Sequence, residues 1–123
     1  MSNNKPFSLA DRFKSFKYAA QGIITFFRTE HNAWIHCLAA IIVIISAYLL
    51  KVTSQEWLWL ALAITLVIIT EMLNTAIEIL CDVVSPEIHP QIKRVKDIAA
   101  GAVLVAAGFA IMIALYVFIP KFL

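Results

Sequence analysis

The chain has 123 residues, 62% of them hydrophobic and only 15% charged, with a formal net charge of +2. A soluble domain usually carries about 45–50% apolar and about 25% charged residues, and one this small could not hide so much apolar surface in its own core. The composition therefore excludes an ordinary soluble domain and a basic nucleic-acid binder, and fits a single domain with lipid as its solvent.

The elements follow in chain order. Over residues 9–28, Phe13, Phe16, Ala20, Ile23 and Phe27 recur at three- and four-residue steps, interrupted by Arg12, Lys14 and Lys17. That pattern predicts an amphipathic helix lying on the membrane surface. Residues 33–50 contain no Asp, Glu, Lys or Arg. Residues 57–80 are interrupted by only Glu71 and Glu78 among charged residues, and 98–119 carry no charge. Each run is long enough to cross about 30 Å of hydrocarbon, so three transmembrane helices are predicted. Trp34, Trp57, Trp59 and Tyr116 near the ends read as interfacial anchors. In the third span Ala99, Ala100, Gly101, Ala102, Ala106, Ala107 and Gly108 suit close helix packing in lipid.

No apolar stretch near the start reads as a signal peptide. Cys37 and Cys81 are isolated in apolar runs and read as small hydrophobes. Lys5, Arg12, Lys14, Lys17 and Arg28 precede the first span, and Lys93, Arg94 and Lys96 follow the second. The other two ends carry one lysine each, Lys51 and Lys121. By the positive-inside rule, the N-terminus and residues 82–97 are expected in the cytoplasm, and the C-terminus on the opposite side.

The second span carries the chemistry. At about 100° per residue, Glu71, Asn74, Glu78 and Asp82 fall within about 80° of one another on the helix wheel. An acidic side chain deep in the bilayer costs about 2.5–3.5 kcal/mol, so two on one stripe demand a reason. Three reasons stay open at this point: pairing with cations from other helices, a proton or cation pathway, or a catalytic site for metal and substrate. The spans themselves supply no Lys or Arg for the first. For the third, Glu30, Glu78 and Asn74 offer the hard oxygens that Mg²⁺ prefers. Arg94 and Lys96 could neutralise phosphate. There is no Gly-rich phosphate loop, and the chain holds three glycines in all. His31, His36 and His89 lack metal-ligand spacing and read as surface or interfacial polarity. Three spans can hardly enclose a polar site alone, so an oligomer is expected.

Glu71-x-x-Asn74-Thr75-Ala76-Ile77-Glu78-x-x-x-Asp82, followed by Lys96-Asp97-x-Ala99-Ala100-Gly101-Ala102-Val103, resembles the signature of the prokaryotic diacylglycerol kinase/undecaprenol kinase family. The likeness extends over nearly the whole chain in length, span order and surface helix. It implies an all-α integral membrane homotrimer of the bacterial inner membrane, with active sites shared between subunits. It further implies transfer of the ATP γ-phosphate to a membrane lipid hydroxyl at the cytoplasmic face. Residue by residue, Glu71 would be the general base, and Glu30 and Glu78 would hold Mg²⁺ on ATP. Asn74 would place the reacting groups. Arg94, Lys96 and Asp97 would contact the nucleotide, with Asp82 and Arg12 in support. Val95 departs mildly from the Ala that usually precedes Lys-Asp in proteobacterial diacylglycerol-specific members. Arg12-Phe13-x-x-Phe16-Lys17-Tyr18-Ala19 and Glu30-x-Asn32-Ala33-x-Ile35-His36 resemble the undecaprenol branch, whereas the diacylglycerol branch often has an acidic residue in place of His36. Undecaprenol is the favoured acceptor. A small cation or multidrug transporter using the intramembrane carboxylates is the competing reading; it would need neither Glu30 nor the Lys96-Asp97 pair.

Overall fold

A computed structural model describes residues 6–123; Lys5, counted in the charge balance, lies outside them. Four α-helices run in chain order: α1 (Leu9–Thr29), α2 (His31–Leu49), α3 (Ser54–Val84) and α4 (Pro90–Phe118), with a short 3₁₀ turn at Ile119–Phe122. The surface helix and three spans are those expected from the apolar runs. The helices outrun those runs, however. α3 begins three residues before the predicted span and ends four after it, and α4 begins at Pro90 rather than Ile98.

Local chemistry explains these ends. Ser8 caps α1 by accepting from the Asp11 amide. Thr53 and Glu56 form a capping box that starts α3, each bonding the other's backbone N–H. At α4, His89 caps and Pro90 occupies the first turn, where its missing N–H costs nothing. A hydropathy scan cannot see such starts, because the turns they create are polar. Lys51, with φ 53°, takes the left-handed conformation that turns the chain from α2 into α3.

α3 and α4 form an antiparallel hairpin with the most extensive interface in the chain, while α1 and α2 touch their neighbours more sparingly. Ala47, Val52, Leu60 and Val117 make a buried cluster, packed against by Val43, Trp57, Ile113 and Phe118. It levels the ends of α2, α3 and α4 on one side, where Lys121 also pairs with Glu56 at 3.1 Å. α2 has 19 residues, about 28 Å of helix, whereas α3 and α4 have 31 and 29, about 46 and 43 Å. With one end levelled, the surplus length of the hairpin lies at the other end, which carries Asp82, Arg94, Lys96 and Asp97.

Leu60 is 2% exposed. Leu60→Ala should lower stability by about 2–3 kcal/mol through lost burial and a residual cavity. The expected reading is a lower unfolding midpoint in detergent with unchanged turnover at permissive temperature, since the cluster is at the far end from the polar groups.

The surface is large for the mass. It measures 9645 Å², against about 6,600 Å² for a compact soluble monomer of this size. Much of the excess is apolar: Leu58, Leu62, Leu104, Val105, Ile111 and Tyr116 are all exposed. Lipid tails or other subunits must cover these faces. The close approach expected of Gly101 and Gly108 is not made within the chain, where an added Cβ would meet nothing within 4 Å. Ala99 and Ala106 are the buried small residues of α4.

Candidate active site

The polar face of α3 is built as its spacing dictates, but the groups on it meet different environments. Glu71 is 6% exposed, Asn74 and Glu78 are half-buried, and Asp82 is exposed at the projecting end. The deepest carboxylate is thus the best shielded. Its partner comes from the first span: His36 Nε2 lies 2.8 Å from Glu71 Oε1. Sequence reading places His36 among surface or interfacial polar groups; this contact corrects that, and the spans still supply no Lys or Arg to the carboxylates. His36 is half-buried on α2, and folding α2 against α3 brings together residues 35 positions apart. A hydrogen bond to a charged group contributes about 1.5–3 kcal/mol net, enough to offset much of the cost of holding Glu71 in the membrane. The one signal available beforehand was that His36 is a titratable side chain inside an otherwise apolar run. His31, by contrast, is exposed, and His89 caps α4 with Nδ1 accepting from the Gln91 amide at 3.1 Å.

Above Glu71, Asn74 Oδ1 and Thr75 Oγ1 are buried side-chain atoms without a hydrogen-bond partner among the described residues. A buried amide oxygen left unpaired is costly, and here it lies on the same face as two carboxylates. Asn74 lines a cleft of about 320 Å³ between α3 and α4, with Thr70, Ile77 and Val95. A second groove, of about 300 Å³ between α2, α3 and α4, is lined by Ala40, Val43, Val67, Ala107 and Ala110, with His36 among them.

Of the two cations expected to meet phosphate, Lys96 has a carboxylate partner here and Arg94 does not. Lys96 Nζ lies 2.8 Å from Asp82 Oδ1 across the hairpin, and Lys93 Nζ lies 2.6 Å from Asp97 Oδ2 one turn along α4. Lys96 precedes the apolar run of α4, and its hydrogen bond to Asp82 holds its ammonium above the ordinary lysine value against a smaller opposing effect of burial. Both pairs are largely exposed, where solvent screens the attraction and an ion pair adds little. Exchanging such a carboxylate for a phosphate oxygen is therefore cheap. Arg94 hydrogen-bonds Gln91 Oε1 at 3.1 Å and is exposed. Lys96 and Asp82 also line an open cavity of about 370 Å³ with Glu87, His89, Ile92 and Lys93.

Glu30 stands at the α1–α2 junction, where its extended backbone ends one helix and begins the next. It is half-buried and its side chain caps neither helix. Neither Glu30 nor Glu78 forms an ion pair among the described residues, which leaves both carboxylates available to a cation. No group of three His, Cys, Asp or Glu gathers around one point in the described chain. Arg12 is exposed on α1 with its guanidinium 5.7 Å from the Phe7 ring centroid, and forms no ion pair with the α3 carboxylates. Among the described residues, Glu71 is thus joined to His36 and Asp82 to Lys96, while Glu30, Asn74 and Glu78 have no side-chain partner.

The chain matches the prokaryotic diacylglycerol kinase family over residues 17–118. It is 42% identical over 109 residues to an undecaprenol kinase of Bacillus subtilis, covering 89% of each chain. It is 40% identical to a diacylglycerol kinase of Synechocystis, over 89% of this chain and 63% of that one. A diacylglycerol kinase of Haemophilus influenzae is 30% identical over 102 residues, 83% of this chain and 86% of the relative.

Proposed function

This chain belongs to the prokaryotic diacylglycerol kinase family and is a membrane lipid kinase, and from that premise we propose that it phosphorylates undecaprenol with Mg-ATP at the cytoplasmic face of the bacterial membrane. The observation that carries the mechanism is the shielded Glu71 carboxylate, held by His36 on the polar face of α3. Family membership sets aside the transporter reading of the same carboxylates.

Phosphoryl transfer asks a protein mainly to position groups and neutralise charge. Glu71 accepts the acceptor's hydroxyl proton as that oxygen bonds to the γ-phosphorus. The bond from the γ-phosphorus to the bridging oxygen breaks, and ADP leaves with that electron pair. Asn74, whose Oδ1 lacks a partner, orients the reacting groups from one turn away. Lys96 and Arg94 meet phosphate oxygens at the projecting end of the hairpin. Asp97 contacts the nucleotide, and Asp82, released from Lys96, supports the site. Arg12 lies on the surface helix beside the lipid head groups.

Magnesium fits the donor set. Mg²⁺ takes oxygen ligands, often one or two carboxylates completed by phosphate oxygens and water, and Glu30 and Glu78 are two such carboxylates without a partner cation. When bound it would supply charge neutralisation at the β- and γ-phosphate oxygens. Glu30 sits at the α1–α2 junction and Glu78 on α3, and neither joins a group of three possible metal ligands among the described residues. Together with the uncovered apolar surface, that supports a homotrimer in which each site draws on two subunits. The basic ends of the chain support a cytoplasmic N-terminus and α3–α4 loop, with the C-terminus opposite.

Undecaprenol is preferred over diacylglycerol because the Bacillus subtilis undecaprenol kinase matches both chains over 89% of their length. Purified protein in mixed micelles, given labelled Mg-ATP, should yield more undecaprenyl phosphate than phosphatidic acid at equal acceptor mole fraction. The reverse preference would reassign the acceptor, and no product from either would remove the kinase reading.

A further inference from the structure

We infer that His36 is a positioning residue for phosphoryl transfer. Its Nε2–H donates to Glu71 Oε1, and so aims the second carboxylate oxygen, Oε2, at the acceptor hydroxyl. The inference deepens the assignment of Glu71 as base and rests on it.

The contact has the features such a role needs. The side chains lie 2.8 Å apart, and with Glu71 ionised, as its role as base requires, the carboxylate carries no hydrogen and Nε2 is the donor. The two side chains come from different spans, so the bond fixes the carboxylate relative to α2 as well as its own helix. Elsewhere the imidazole faces apolar groove walls: Ala39 and Ala40 on α2, Val67 on α3, Ala107 and Ala110 on α4. No other group among the described residues hydrogen-bonds either side chain, so nothing there competes for this carboxylate. A Glu side chain has three rotatable bonds, and without a fixed partner its oxygens would sweep across the site. Misplacing a reacting group by about 1 Å costs about 100-fold in rate.

The test compares His36→Leu, which cannot donate, with His36→Gln, whose amide donates from a similar reach. Both are assayed in micelles with Mg-ATP and undecaprenol. His36→Leu should lower kcat by about 10–100-fold with KM for Mg-ATP within about twofold of the parent. His36→Gln should recover most of that loss. A His36→Leu protein with the parent's kcat, or a His36→Gln protein as slow as His36→Leu, overturns the inference. Should leucine prevent folding, NMR of the imidazole nitrogens in the otherwise unaltered protein decides. The hydrogen-bonded Nε2–H signal should change in Glu71→Gln and stay put in Glu78→Gln; no change in either overturns the proposal. Full turnover by Glu71→Gln would sink the base assignment itself. An inactive Glu71→Gln beside an unimpaired His36→Leu would sink only the role of His36.

Discussion

Glu71→Gln is expected to reduce phosphoryl transfer by about 10²–10⁴-fold while leaving Mg-ATP binding within about twofold of the parent. That range is what a positioned general base contributes. Glutamine has nearly the same volume and still hydrogen-bonds His36 through its amide oxygen, so the shielded site at the α2–α3 contact is kept. What is lost is the ability to accept a proton. The diagnostic pair of measurements is therefore kcat by labelled phosphate transfer and Mg-ATP affinity by direct binding. Substantial turnover in a folded Glu71→Gln protein would mean that the acceptor proton leaves by another route, with Glu71 serving only as the partner of His36. Loss of nucleotide binding together with turnover would instead place Glu71 among the groups that hold ATP.

Glu30→Gln and Glu78→Gln, singly, are expected to lower turnover by about 100-fold at millimolar Mg²⁺ and to raise the Mg²⁺ concentration needed for half-maximal rate. Removing one carboxylate from a two-carboxylate site forfeits a few kcal/mol of charge neutralisation, and about 2.7 kcal/mol corresponds to 100-fold. The two positions test different parts of the scheme. Glu78 is two turns along α3 from Glu71, whereas Glu30 sits at the junction of the surface helix and the first span. If each site draws on two subunits, mixing inactive Glu30→Gln and Glu78→Gln proteins should restore part of the activity, because some mixed sites carry both carboxylates. A mixture as inactive as its components would confine each site to one subunit. An unchanged Mg²⁺ requirement in both variants would remove them from the metal site.

The apolar runs and the polar stripe were legible because both follow from spacing alone. A charge-free segment long enough to cross the hydrocarbon must form its own backbone hydrogen bonds, and that makes it a helix whatever surrounds it. Glu71, Asn74, Glu78 and Asp82 share a face because helical geometry leaves no alternative once α3 exists. The span limits were less legible. Capping at Thr53 and His89 extends α3 and α4 through polar turns that hydropathy discounts. The turns begun at His89, with the four residues by which α3 runs past its predicted end, carry Asp82, Arg94, Lys96 and Asp97 beyond the N-terminal end of α2, and the hairpin pairs Lys96 with Asp82. Of the small residues in the third span, the chain's own packing buries Ala99 and Ala106 and leaves Gly101 and Gly108 without a close neighbour.

The sequence by itself determined that the chain has three helices long and apolar enough to cross a membrane, preceded by a shorter amphipathic helix, and which residues of α3 share one polar face. Those properties depend on hydropathy, periodicity and motif spacing, all of which are local. Only the tertiary structure decided which side chain meets which. His36 and Glu71 are joined because α2 packs on α3 and brings together residues 35 positions apart. A one-dimensional pattern records which face of a helix is polar, but the depth at which two helices align comes from side-chain packing between them.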